Sequence, residues 1–152
     1  VIGDPINCER MLDNEEAVVV FPEGVRGSNK LYKLKYQLQR FGTGFMHLAM
    51  KHNAPIIPVA VIGMEETIRS YADLKPIAKA LGLPVAPLVV PWVFPSKVYL
   101  YFGKPIYYKN DVYKESDIKE RVDEVKAAIN KLIKIGLEKR ATDLAEIKVE
   151  KK

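Results

Sequence analysis

The run Ala17-Val-Val-Val-Phe21 constrains this chain more than any other feature, because five apolar residues in a row end abruptly at Pro22. A short continuous run of this kind, rich in β-branched residues, fits a strand covered on both faces. A second run, Ala54-Pro-Ile-Ile-Pro-Val-Ala-Val-Ile62, is entered through Pro55 and holds Pro58 inside it. Proline cannot donate to a ladder, so Pro58 predicts an edge, a bulge or a neighbouring strand that ends there. Between the runs, Leu38, Phe41, Phe45 and Leu48 recur at spacings of three, four and three, a helical stripe. Gly42 and Gly44 interrupt it, which moves the expected helix to Thr43 through His52. Strand, helix and strand at this spacing make a β-α-β unit. The expected fold class is α/β, a mostly parallel sheet flanked by helices.

The rest of the 152 residues extends one domain with no internal repeat. Asn7 is placed to cap a short helix from Cys8 to Asn14. Tyr71 to Leu81 reads as a helix weakened by Pro76. From Leu81 to Pro95 there is no charge, and Pro84, Pro87, Pro91 and Pro95 recur every three or four residues. Those prolines exclude a membrane-spanning helix. Lys97 to Phe102 alternates like a strand and stops at Gly103. Ser116 is placed to cap a final helix whose seam is Ile118, Val122, Val125, Ile129 and Leu132. Gly136 is expected to end or break that helix, with residues 141–152 as a frayed tail or a separate short helix.

Composition removes several chemistries. The single cysteine, Cys8, cannot form an internal disulfide and reads as structural. The sequence holds no nucleophile elbow, no P-loop, no dinucleotide-binding glycine pattern and no metal-ligand spacing, so no metal is expected. His47 and His52 lie five apart, on different faces of a helix, and make poor joint ligands. No secretory signal opens the chain, which begins Val-Ile-Gly-Asp-Pro as though partway through a fold.

The net charge of +5 is unevenly placed. No acidic residue lies between Glu23 and Glu65, whereas Arg26, Lys30, Lys33, Lys35, Arg40 and Lys51 all do. From Asp111 onward, 11 basic residues face 10 acidic ones. The positive field is therefore local, and it suits a phosphate-bearing ligand or an anionic surface as well as a plain solvated face. It adjoins the loop Phe21 to Gly27, at the carboxyl end of the first expected strand, where open α/β sheets bind ligands. Arg26 offers a planar fork suited to phosphate oxygens, and Glu23 is close enough in sequence to hold that fork or bond a ligand hydroxyl. Pro22 and Gly24 fix the turn. A surface turn carrying a solvated Glu-Arg pair satisfies the same spacing.

The segment Val20-Phe-Pro-Glu-Gly-Val-Arg26 resembles the third sequence block of the glycerolipid acyltransferases (the 1-acylglycerol-3-phosphate acyltransferase superfamily), usually F-P-E-G-T-R-S. Ala54-Pro-Ile-Ile-Pro-Val-Ala-Val61 resembles the fourth block, and Ile2-Gly-Asp-Pro-Ile-Asn7 a degenerate second one. The resemblance as a whole covers roughly residues 2 to 106 and implies an acyltransferase fold of which part is missing. The resemblance gives Glu23, Gly24 and Arg26 the role of binding a glycerol phosphate or lysophospholipid acceptor. Lys30, Lys33 and Lys35 follow as weaker anion-steering contacts. Val25 and Gly27 stand where the family has threonine and serine, which removes two hydroxyls beside the acceptor.

The family's catalytic His-x-x-x-x-Asp is not in this chain: His52 stands five residues after His47, and Ile57 five after His52. Acyl transfer needs a base for the acceptor hydroxyl and a carboxylate to orient that base. The pair is expected upstream, and these residues alone are expected to be inactive. Expected partners are a glycerolipid acceptor, an acyl thioester (acyl-coenzyme A or acyl carrier protein) and an anionic membrane surface, with no bound cofactor. The expected location is cytoplasmic, peripheral at the inner face of a membrane. Trp92 and Phe94, beside Lys97, read as a membrane or acyl-chain contact, or as a cap over the core. A non-catalytic module for anionic lipid shares these features. A nucleic-acid binder ranks last, for its aromatics are not interleaved with lysines beyond Tyr32 and Tyr36.

Overall fold

The computed structural model describes residues 4–28, 30–67, 69–73, 87–89, 94–109 and 114–150. Helix α1 (Pro5–Asp13) starts earlier than Asn7 suggested, because Pro5 occupies its first turn and the Asp4 carboxylate accepts from the Ile6 N–H at 3.1 Å. A single turn, α2 (Val25–Ser28), and a short 3-10 turn (Tyr32–Leu34) precede α3 (Gly44–Lys51). The order continues with β1 (Val59–Ile62), α4 (Met64–Thr67), β2 (Ser70–Asp73), β3 (Pro87–Val89), β4 (Tyr99–Phe102) and α5 (Glu115–Glu150).

The ladders among the described residues are antiparallel: β1 pairs with β4, and β2 with β3. Ala17 to Phe21 forms no strand here, and Val19 and Phe21 are each 81% exposed. The strand expected over this run is therefore not formed, for no described strand pairs with it to complete a ladder. Pro58 acts as its chemistry requires. Its carbonyl accepts from the Gly103 N–H at 2.8 Å, and regular pairing starts only at Val59. Ile56 and Ile106 exchange both backbone bonds at 2.9 Å on the other side of the interruption. Ser70 to Asp73 is strand rather than the start of a helix, and residues 74–81 lie outside the described residues.

Helix α5 organises the core. Ile118, Val122 and Val125 from its predicted seam join Phe41, Met46 and Met50 in one buried cluster. The buried face of α3 is Met46, Ala49 and Met50, while Phe45 packs half-buried with its ring 6.5 Å from that of Phe41. The stripe shifted because Leu38 and Phe41 precede the helix and meet the core from a loop. Further along α5, Ile133 covers Ala60 and Ile62 of β1, with Tyr99 and Tyr101 of β4 alongside. Fully burying a side chain such as Ile62 stabilises by roughly 2 kcal/mol.

Gly136 does not end α5, which runs as one helix of 36 residues. A Cβ there would come within 2.6 Å of Ile62 Cγ1 and 2.7 Å of Tyr101 Cε2. The glycine is a notch that brings the helix onto the ribbon. Gly136→Ala gains about 1 kcal/mol of helix propensity but overpacks a fully buried neighbour at a cost of about 1–3 kcal/mol. The variant is expected to lower the denaturant midpoint, and a higher midpoint would show that the ribbon has room to retreat.

Candidate anion-binding loop and the network behind it

The loop after Phe21 is built by local bonds. The Gly24 N–H donates to the Phe21 carbonyl at 3.0 Å, and Gly24 adopts φ +56°, a left-handed conformation that glycine takes without strain. The Gly27 N–H then donates to the Gly24 carbonyl at 3.0 Å, closing the turn that carries Arg26. The Gly42 N–H bonds the Pro22 carbonyl at 2.8 Å, which docks the Phe41-Gly-Thr-Gly-Phe45 segment on the loop.

Glu23 and Arg26 part company here. Glu23 Oε1 accepts from the backbone N–H of Gln39 at 3.1 Å, so this carboxylate fastens the loop to the following segment. A Cβ on Gly27 would lie 2.5 Å from Glu23 Oε2, so Glu23 fills the space a side chain at 27 would need. Arg26 is exposed, and among the described residues no ion pair engages it. Its fork is thus presented outward. Lys33 is exposed as well. Lys30 is not: its side chain is 6% exposed and its ammonium sits 2.6 Å from Glu65 Oε1. Lys35 lies 3.6 Å from Glu66 and 4.8 Å over the Tyr32 ring.

Those lysines lead to a network that no spacing in the sequence announced. The Tyr36 hydroxyl accepts from the Gly63 N–H at 2.9 Å and from Arg140 Nη1 at 3.2 Å, and donates to Glu66 Oε1 at 3.1 Å. Arg140 Nη2 bonds the other Glu66 oxygen and also Ser96 Oγ, the latter at 3.0 Å. The Tyr36 N–H donates to Glu65 Oε2 at 2.7 Å. Gly63, at φ +102°, leaves no room for a Cβ, which would overlap the Lys97 carbonyl oxygen. Arg140 holds the Glu66 carboxyl below the usual carboxylate range, with Tyr36 and Lys35 adding to the effect. Burial, with Glu66 alongside, pushes the Tyr36 phenol up.

His52 Nδ1 meets Asp13 Oδ1 at 2.9 Å, and among the described residues its buried Nε2 has no hydrogen-bond partner. With Lys51 on Glu9 at 2.8 Å, this pair ties α1 to the end of α3. Phe94 packs its ring 4.1 Å from the Arg69 guanidinium, and Trp92 lies outside the described residues. No group of three or more metal-ligating side chains converges among the described residues. Nor is any described helix long and apolar enough to cross a membrane.

Residues 6–62 match the family model described as Acyltransferase. The match spans the loop, α3 and β1, and makes this part of the chain similar to the acyltransferases. Among curated proteins, the chain is similar to uncharacterized proteins of Mycobacterium tuberculosis and Mycobacterium bovis, each 38% identical over 112 residues. A Mycobacterium leprae protein, also uncharacterized, is 36% identical over 113 residues. These alignments cover 66% of this chain and 30–31% of each relative, so the chain spans about a third of the relatives' length. No solved structure matches the chain.

Glu66 titrates below its ordinary value, so its stabilisation is present above about pH 4.3 and is lost as pH falls through the lowered value. The wild-type chain is expected to lose unfolding free energy below about pH 4. Glu66→Gln should be less stable at neutral pH and lose less on acidification. Parallel pH profiles for the two would remove Glu66 from the network.

Proposed function

We propose that this chain is the acceptor-binding part of an acyltransferase that moves an acyl group from a thioester to a lysophospholipid or glycerol phosphate hydroxyl. The observation that carries the reading is the exposed Arg26, held on the glycine turn after Phe21 and engaged by no carboxylate among the described residues. A guanidinium presented in this way binds a phosphate bidentately and orients the hydroxyl beyond it. Gly24 sets the turn and Glu23 braces it from behind. Lys33 adds a long-range attraction, whereas Lys30 and Lys35 contribute less because Glu65 and Glu66 meet their charge.

The reaction forms a bond between the acceptor oxygen and the acyl carbon, breaks the carbon–sulfur bond, and passes the hydroxyl proton through a base to the departing thiolate. No described residue is positioned as that base. The whole protein supplies it, in this reading, through a His-x-x-x-x-Asp block upstream, and the present residues alone do not turn over. The exposed apolar surface supports the same view. Val19 and Phe21, together with Val61, Leu100 and Phe102 on the outer side of β1 and β4, form faces that the remainder of an acyltransferase would cover. The covered run would then stand in a mostly parallel sheet. The setting is the cytoplasmic face of a membrane, with acyl-coenzyme A or acyl carrier protein as the donor.

In the whole protein, Arg26→Ala is expected to raise the acceptor KM about tenfold to a hundredfold, the loss of a charge-assisted pair. The donor KM should stay within about twofold. Unchanged acceptor kinetics would sink the assignment. Liposome binding with no turnover in the whole protein would favour the lipid-binding module instead.

A further inference from the structure

The two glycines of the loop are needed for different reasons. Gly24 has φ +56° and open space around its Cα, so its backbone calls for glycine. Gly27 has no left-handed φ, so its backbone would accept a side chain. Its neighbour would not. A Cβ at 27 would stand 2.5 Å from Glu23 Oε2, 2.8 Å from Glu23 Cβ and 3.3 Å from its carboxyl carbon. The other carboxylate oxygen, Oε1, accepts from the Gln39 N–H at 3.1 Å. An empty position on one side and a backbone donor on the other make a niche for the Glu23 carboxylate. Arg26 stands beside Gly27 on the Val25–Ser28 turn, three residues from Glu23, and no carboxylate pairs with it among the described residues. Side chains three apart on a helical turn are neighbours, so an acid and an arginine at this spacing pair unless another partner holds the acid. Here the niche holds it.

We propose that Gly27 is a positioning residue: by leaving room for Glu23 it keeps that carboxylate off Arg26, and so keeps the guanidinium available to an anion. The inference rests on the reading of Arg26 as the contact for the acceptor's phosphate, and it supplies the reason the fork is open. Any side chain at 27 overlaps Glu23 and turns its carboxylate out of the niche. Outside, the carboxylate works against a bound phosphate twice. It occupies the Arg26 fork, and it repels the anion that would replace it. An exposed acid–arginine pair and one close like-charge contact in water each change an affinity by up to about fivefold, so together they weaken binding about fivefold to tenfold at low salt. Gly27 thus acts on the ligand through two other side chains and needs no contact with it.

The test is calorimetric titration of the 152-residue chain with glycerol 3-phosphate at low salt, in wild type, Arg26→Gln, Gly27→Ala, and Gly27→Ala combined with Glu23→Gln. Gly27→Ala should bind about fivefold to tenfold more weakly than wild type, and without ligand its Gln39 amide should exchange faster. The double variant keeps the same Cβ and a side chain of the same size but removes the charge, so its affinity should return to within about twofold of wild type. A glycine needed only to shape the loop would not be rescued in this way. If Gly27→Ala does not fold, Gln39→Pro removes the N–H that holds Glu23 and is read alike, with and without Glu23→Gln. Unchanged affinity in Gly27→Ala, as when the released carboxylate turns to the exposed Arg40 instead, overturns the proposal. So does a loss that Glu23→Gln leaves in place. Failure of the acceptor reading looks different: wild type binds no ligand, or binds it equally well in Arg26→Gln. The ligand-free Arg26 Nε–H resonance then decides the role of Gly27. A shift in Gly27→Ala that Glu23→Gln reverses supports it, and no shift overturns it.

Discussion

The Tyr36 hydroxyl, taking N–H bonds from Gly63 and Arg140 while donating to Glu66, is the contact on which the arrangement of the chain depends. It joins three stretches that are far apart in sequence: the basic segment after the loop, the junction of β1 and α4, and the C-terminal half of α5. Tyr36 sits at φ +61°, which costs a non-glycine residue about 1 kcal/mol, and the three bonds to its hydroxyl offset that strain. The guanidinium and the carboxylate satisfy each other in a half-buried setting, so removing either leaves a charge without its partner. That asymmetry makes the network a strong determinant of geometry even where its net contribution to stability is modest.

Two consequences follow for the basic stretch. Its charge divides into cations committed to Glu65 and Glu66 and cations presented outward, notably Arg26 and Lys33. The committed ones shape the surface, and the outward ones give it a field. The same acids that neutralise Lys30 and Lys35 also hold the Tyr36 segment in place, which in turn positions Gln39, whose N–H anchors Glu23 beneath the loop. Loop and network thus form one mechanical unit.

What the residues disclosed in advance was what local chemistry decides. The amphipathic seam of α5, the helix before β1, the glycine turn after Phe21 and the alternation of β4 all rest on spacing and on proline or glycine punctuation. What stayed hidden depends on contacts between distant positions. Gly136 looks like a helix stop by composition, and only the closeness of Ile62 and Tyr101 shows it to be a packing notch. Glu23 and Arg26 look like a pair, three residues apart, yet the nearer partner for the carboxylate is a backbone N–H from Gln39. Arg140 lies 104 residues from Tyr36, and no pattern in the chain connects them. Tyr71 to Asp73 reads as the start of a helix but pairs, with Ser70, as a strand against Pro87 to Val89, a tertiary override of local preference.

In the proposed reading Arg26 receives the phosphate of an acceptor, while none of the described residues performs the proton transfer. The most direct measurement is a nuclear magnetic resonance titration of the chain with glycerol 3-phosphate, following the Arg26 side-chain N–H and the amides of Gly24 and Gly27. The account predicts saturable shifts at those three positions, with the His52 ring unmoved. Ligand saturation that leaves Arg26 and the loop amides silent, or that shifts His52 instead, would contradict it.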